Sequence, residues 1–302
     1  LKTVFLGTSE FAATVLGRVA AGEHPPVLVV TPPDRRRGRG RRLSPTAVAA
    51  AAEERGIEVL RTESTEDPEA LERIRSANAD AGVVCAFGQL IREPLLSELE
   101  LLNVHPSLLP RWRGAAPIER AIMAGDERTG VAIMRVTAGL DSGPVAMCEA
   151  VDVAGRDFGE LSGALATVGG ELAERALGLL AAGGLELTEQ DDSAATYAEK
   201  IDSAERRLDP SLDAEALERT VRALSPHIGA YLVLEGEQRL GVLAARAQPG
   251  ELAAGELEGG DSQGLRLGCA TGTLELLSVR PPGGREMEAS AYLRGHPVPR
   301  LA

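Results

Sequence analysis

Cysteine is scarce in this chain: Cys85, Cys148 and Cys269 lie far apart, with no CxxC pair and no metal-ligand spacing. That pattern suggests neither a disulfide framework nor a zinc site, and a reducing cytoplasm fits it best. Long apolar runs are missing too. None reaches the roughly 18–20 residues of a membrane span. Leu1 to Gly7 lacks the basic start and extended apolar stretch of a secretory leader, so none is expected. Glycine-rich phosphate loops are absent as well. The turn at Leu6-Gly7-Thr8-Ser9-Glu10-Phe11 has one glycine where a dinucleotide fingerprint needs G-x-G-x-x-G, and no Walker A motif occurs. Nicotinamide-dependent redox chemistry and nucleotide-driven ligation or phosphorylation are therefore disfavoured. Positive charge is in deficit overall, and a net charge of −13 argues against indiscriminate nucleic-acid binding by the whole surface.

What is present is an ordinary globular composition, 44% hydrophobic and 25% charged, in a chain of 302 residues, long enough for two domains. The first half alternates strands and helices. Lys2 to Gly7, Val27 to Thr31, Glu58 to Leu60, Gly82 to Phe87 and Leu101 to His105 read as strands. Between them fall helical segments at Phe11 to Ala21, Pro45 to Arg55 (capped by Ser44), Pro68 to Ser76 and Pro94 to Leu99. The continuous apolar run Gly82 to Phe87 suits a strand buried on both faces of a parallel sheet. Repeated units of this kind predict an α/β doubly wound sheet. Further on, Ile118 to Ala124 reads as a helix, Val131 to Val136 and Val145 to Val151 as strands, and Phe158 to Leu180 as a long helix. Gln190 to Arg207 is polar and reads as a connector. After it come an amphipathic helix, Ala214 to Leu224, and short strands at Tyr231 to Leu234, Leu240 to Ala245, Leu265 to Cys269 and Leu274 to Val279. That spacing suggests a small β-barrel.

The most informative stretch is NVHPSLLP, Asn103 to Pro110. Asn103 and His105 stand two positions apart at the end of an apolar strand, so they share one face. The strand then runs into a proline-stopped loop, and ligands of open α/β sheets bind beyond the carboxyl ends of the strands. An amide and an imidazole aimed at one point are what a developing oxyanion needs. Taken alone, a strand-end histidine is more often structural. Asp141, in the glycine-flanked loop Gly139-Leu140-Asp141-Ser142-Gly143, is the carboxylate best placed to reach it. An Asx-turn residue bonded to its own backbone is an equally good reading of Asp141.

A second feature stands out against the acidic background. Arg35, Arg36, Arg37, Arg39, Arg41 and Arg42 crowd into one loop, with Gly38 and Gly40 between them. Most charge runs are merely solvated, but mutual repulsion among these arginines and the backbone access given by the glycines favour RNA or another polyphosphate. Trp112, the only tryptophan, sits between Arg111 and Arg113, and packing anchor and stacking platform are equally good readings of it.

These residues together give the chain a strong resemblance to the methionyl-tRNA formyltransferase family. The likeness runs through FLGTSEFA (Phe5 to Ala12), TPPDRRRGRGRRL (Thr31 to Leu43), CAFGQLI (Cys85 to Ile91), NVHPSLLPRWRGAAPIERAI (Asn103 to Ile122), TGVAIM (Thr129 to Met134), GLDSGPV (Gly139 to Val145), TYAEKI (Thr196 to Ile201) and LERTVRALSP (Leu217 to Pro226). Asn-x-His with SLLP and the downstream Asp is shared by transferases and hydrolases of this fold that use 10-formyltetrahydrofolate; the arginine loop, TYAEKI and the C-terminal part are more specific to the tRNA enzyme.

The resemblance implies a Rossmann-like formyltransferase domain with a mostly parallel sheet at 1–189, a linker at 190–206, and an OB-like barrel that helps bind tRNA at 207–302. It implies Asn103, His105 and Asp141 as the catalytic trio. It places Ser107, Leu108, Leu109 and Pro110 along the folate site, with Phe87, Gly88 and Leu90 near the pterin ring. The six loop arginines would reach the acceptor stem of initiator methionyl-tRNA, and the loop is expected to be mobile without RNA. The chain is expected to be a cytoplasmic monomer that uses 10-formyltetrahydrofolate as formyl donor and needs no metal and no membrane. In the implied chemistry, Asn103 and a His105 kept protonated by Asp141 would hold the negative oxygen formed when the amine attacks. One departure is visible: His227 follows Ser225-Pro226 where many members carry tryptophan, which bears on packing in the barrel. Rivals are a nucleotide-sugar formyltransferase, a formyltetrahydrofolate hydrolase, or a catalytically silent RNA-binding relative. The arginine loop and barrel speak against the first two, and the intact trio against the last.

Overall fold

The computed structural model describes residues 1–37, 42–260 and 264–302, with Arg37 and Arg42 described through their backbone alone. In chain order the first elements are β1 (Thr3–Gly7), α1 (Glu10–Ala20), β2 (Pro26–Thr31), β3 (Arg35–Arg37), β4 (Arg42–Ser44), α2 (Ala47–Glu53), β5 (Glu58–Arg61) and α3 (Pro68–Ser76). There follow β6 (Ala81–Cys85), α4 (Leu95–Glu98), β7 (Glu100–His105), β8 (Arg113–Gly114), α5 (Pro117–Ala124), β9 (Arg128–Arg135), β10 (Val145–Asp152), α6 (Phe158–Ala181) and β11 (Tyr197–Ala198). The last group is α7 (Ala214–Leu224), β12 (Ala230–Leu234), β13 (Gln238–Gln248), β14 (Leu257–Gly260), β15 (Gly264–Gly268), β16 (Thr273–Arg280), β17 (Met287–Glu288) and α8 (Ala289–Gly295). Two compact units result. One holds Leu1–Gly114, Thr129–Asp152 and Ser162–Ala198; the other holds Ala115–Arg128, Val153–Leu161 and Glu199–Ala302.

The first unit is built on a seven-stranded sheet in the order β10-β9-β7-β6-β1-β2-β5. From β7 to β5 every neighbouring pair is parallel, and β9 joins β7 antiparallel. β1 and β6 are buried throughout and are apolar apart from Thr3, whose hydroxyl donates to the His24 carbonyl at 2.9 Å. Chain order reverses at β1: β2 and β5 lie on one side, β6 and β7 on the other. This makes the crevice beyond the ends of β1 and β6 the expected ligand site of such a sheet.

Local sequence explains the helices. Ser9 caps α1 by accepting from the Ala12 amide, and Ala12, Val15, Leu16 and Val19 form its buried stripe. α6 packs closely through a glycine pair. A methyl at Gly169 would stand 2.8 Å from Val104 Cγ1, and one at Gly170 2.7 Å from Arg18 Cβ.

Three sequence-based expectations change. α2 starts at Ala47 under a Thr46 cap, not at Pro45 under Ser44. Thr46 Oγ1 is also tied to Thr31 Oγ1 at 2.7 Å in a buried pair, while Ser44 is drawn into β4 opposite Arg35. The arginine-rich stretch is not wholly loop, since β3 and β4 pair antiparallel. Residues 190–198 fold with the first unit, where β11 runs parallel to β8, so they are more than a connector.

The second unit carries an antiparallel sheet in the order β12-β13-β16-β15-β14, with β17 paired to β16. Leu217, Val221 and Leu224 of α7 meet Leu232, Leu240, Val242, Leu265, Leu267, Leu274 and Leu276 in one apolar core. β14 and α8 are additions to the sequence reading. Among the described residues, no helix is long and apolar enough to cross a membrane.

Candidate active site

Asn103 and His105 sit on β7, whose carboxyl end lies between β6 and β9. The His105 side chain is 5% exposed. Its Nε2 lies 2.9 Å from the Trp112 carbonyl. A carbonyl only accepts, so Nε2 carries a proton there and donates it. The other ring nitrogen, Nδ1, faces Asp141 Oδ2 at 3.7 Å, beyond hydrogen-bond length. Asn103 Nδ2 approaches the other oxygen, Oδ1, at 3.5 Å. The carboxamide, the imidazole and the carboxylate therefore face one another across a space that is closed by no short bond between them.

Asp141 is held in an unusual posture. Its φ is +46°, a left-handed conformation that non-glycine residues rarely adopt. Its Oδ2 accepts from the Gly114 amide at 2.8 Å, a group 27 positions away, which excludes the self-bonded Asx-turn reading. Gln190 Nε2 donates to the carbonyls of Asp141 (2.9 Å) and Gly143 (2.7 Å). Gln190 Oε1 in turn accepts from Arg113 Nε at 3.0 Å, and Arg113 Nη2 meets Asp192 Oδ1 at 2.8 Å. Thr196 supports the facing wall: its Oγ1 accepts from the Trp112 amide at 2.9 Å. Gln190, Arg113 and Thr196 were not singled out by sequence. Gln190 lies in a stretch whose polarity reads as solvent-exposed, and only its distant partners reveal its use.

The remaining candidates divide. Gly88, at φ +76° with open space around it, and Leu90, 68% exposed, lie past the end of β6 beside the crevice. Phe87 points the other way, 3% exposed in the core cluster with Leu6, Leu28 and Val30, while its carbonyl accepts from Thr8 Oγ1 at 2.8 Å. Ser107 is fully buried and donates to the Arg111 carbonyl at 2.6 Å, so its hydroxyl fastens the turn. Leu108 packs on Gly130, where a methyl would come within 2.5 Å of Leu108 Cδ2. Leu109 and Pro110 are half-buried. The Cys85 thiol, at the end of β6, is pushed upward by complete burial and stays protonated, so it is no nucleophile.

Arg35 Nη2 pairs with Glu63 at 3.4 Å, both side chains largely exposed. Arg36 also has a partner. Arg37 and Arg42 face each other across the β3–β4 ribbon by backbone register. Arg39 and Arg41 lie outside the described residues, as does the expectation of a mobile loop tip. The Trp112 ring is covered by the Arg111 guanidinium, 4.4 Å from its centroid, an arrangement in which ring and cation stabilise each other.

Comparison with known proteins places this geometry in a class. The family model described as "Formyl transferase" matches residues 1–177, and "Formyl transferase, C-terminal domain" matches residues 200–297. The solved structure of HypX from Aquifex aeolicus in complex with tetrahydrofolic acid shares the fold, with TM-score 0.67 at 16% identity over 97% of this chain and 46% of that one. Methionyl-tRNA formyltransferase of Methylobacterium sp. (strain 4-46) is 44% identical over 100% of this chain and 99% of its own length. That of Halorhodospira halophila is 44% identical over 97% of this chain and 96% of its own length. The chain belongs to the methionyl-tRNA formyltransferase family.

Proposed function

We propose that this chain transfers the formyl group of 10-formyltetrahydrofolate to the α-amino group of methionine on initiator methionyl-tRNA, with Asn103, His105 and Asp141 as its catalytic residues. The observation that carries the reading is the meeting of these three side chains at the end of β7, with His105 Nε2 already committed to Trp112. His105 therefore acts from Nδ1. The amine nitrogen attacks the formyl carbon, a C–N bond forms, and the carbonyl electron pair moves onto oxygen. Asn103 Nδ2 and a proton on His105 Nδ1 hold that oxygen. Asp141 orients the imidazole and takes the proton that the amine loses, directly or through water. Collapse returns the pair to carbon, breaks the bond to the donor nitrogen and sends a proton there. Spacings of 3.5 and 3.7 Å suit groups that tighten only around substrate.

The donor is assigned to the crevice beyond β6 and β7, where Gly88 leaves open space and Leu90 offers an exposed apolar side chain to a flat ring. The HypX structure, solved with tetrahydrofolic acid, supports that class of donor on this fold. Residues 1–189 carry the chemistry in this reading and 207–302 bind tRNA, together with Arg35, Arg36, Arg37, Arg39, Arg41 and Arg42. The chain works as a monomer in the cytoplasm, where its charged tRNA resides. Purified protein incubated with 10-formyltetrahydrofolate and methionine-charged initiator or elongator tRNA tests the whole assignment. Formylation of the initiator alone is expected; no formylation of either would overturn it.

A further inference from the structure

We propose that Gln190 is a positioning residue for Asp141, part of a brace in 190–198 that sets the catalytic carboxylate. The inference rests on the role of Asp141 given above. A carboxamide has two N–H donors and one carbonyl oxygen. Here the nitrogen serves two carbonyls of a single loop, Asp141 at 2.9 Å and Gly143 at 2.7 Å, and the oxygen accepts from Arg113 at 3.0 Å. The amide is thus fully committed between the aspartate loop and a buried arginine, whose side chain is 4% exposed. The residue after that arginine, Gly114, donates its amide to Asp141 Oδ2. Asp141 is consequently gripped twice, at its backbone by Gln190 and at its carboxylate by Gly114, with Arg113 joining the two grips.

That double hold explains a conformation otherwise disfavoured. A non-glycine residue stays at φ +46° only where its surroundings over-determine it. The loop has little alternative room: a methyl at Gly143 would stand 2.0 Å from the Arg135 carbonyl. The same segment also fixes the histidine side of the site. Thr196 accepts from the Trp112 amide, its carbonyl accepts from the Arg113 amide at 2.9 Å, and the Trp112 carbonyl receives the His105 proton. Gln190 and Thr196 thus set the aspartate and the histidine from one short stretch of chain.

Gln190→Glu and Gln190→Met test this. Both keep the side-chain length, and both remove the paired donors. Steady-state formylation with both substrates varied should show kcat lower by about a hundredfold, the effect of displacing a reacting group by roughly 1 Å, with KM for donor and tRNA unchanged. In an Asp141→Asn background the same substitutions should cost little more, because their effect runs through Asp141. Amide exchange at Gly114 should speed up in the variants, a readout independent of turnover. Normal kcat in both variants, a loss that multiplies in full with Asp141→Asn, or unchanged Gly114 exchange would each overturn the positioning role. A wild-type protein that formylates nothing would instead overturn the functional reading, and Gly114 exchange would still decide whether Gln190 sets Asp141.

Discussion

Two histidines in this chain each face a carboxylate, and the better-formed pair is not the one at the candidate active site. In the second unit His227 Nε2 lies 3.0 Å from Glu119 Oε1, and its ring stacks on Phe158 at 3.6 Å between centroids. In the first unit His105 keeps 3.7 Å between Nδ1 and Asp141, and its close bond goes to a backbone carbonyl instead. The difference lies in what each geometry leaves to be done. His227 has spent its donor on a permanent partner and its face on a ring, so its position, noted as a departure from tryptophan, is filled by a flat side chain that packs. His105 is fixed by one nitrogen while the other looks into a space shared with Asn103. The short hydrogen bond of His227 is a closed structural tie; the fixed ring of His105, with a longer approach at its other edge, is what its proposed role uses.

Predictions that could break this contrast begin with the largest effect. Asn103→Ala removes one oxyanion donor and should lower kcat by about a hundredfold to a thousandfold without changing the circular dichroism spectrum. Next, Arg39→Ala should raise KM for charged tRNA roughly tenfold, the loss of one charge-assisted contact, and flatten the salt dependence by about one unit of slope, with folate KM unchanged. Equal effects on both substrates would remove that arginine from RNA recognition.

Smaller effects belong to the second unit. His227→Ala should lower stability by about 1 kcal/mol in urea titrations, combining a lost stack and a lost hydrogen bond to Glu119, and leave kcat intact. The smallest effect is pH-dependent. The Arg120 guanidinium holds the Glu205 carboxyl below its usual range. The folded carboxyl then binds a proton less readily than the unfolded one, so the pair stabilises fully above about pH 4.3 and its contribution fades as pH falls through the lower folded value. Arg120→Met should therefore destabilise at pH 7 by less than about 1 kcal/mol, and the gap from wild type should narrow progressively as pH falls below about 4.3.

Much of the first unit was readable because its signals are local. The apolar runs of β1 and β6 and the alternation that puts Asn103 and His105 on one face all act within a few residues. Asp141 was readable as a candidate through its glycine neighbours, yet its posture was not, because that depends on Gly114 and Gln190, 27 and 49 positions away. The Thr46 cap escaped for the same reason: its preference over Ser44 comes from a buried contact with Thr31. β14 contains Gly259 and Gly260 and lacks the β-branched residues that mark a strand, so its pairing with β15 has little local signature.

The most direct test sets the two histidines side by side. Formyl transfer to initiator methionyl-tRNA, measured at saturating donor and acceptor, should fall at least about a hundredfold in His105→Gln, which can still donate to Trp112 but cannot hold the oxyanion from Nδ1. His227→Gln should stay within about twofold of wild type, as expected for a change remote from the chemistry. Near-normal turnover by His105→Gln, or an equal loss in both variants, would contradict the assignment of the reaction to the end of β7.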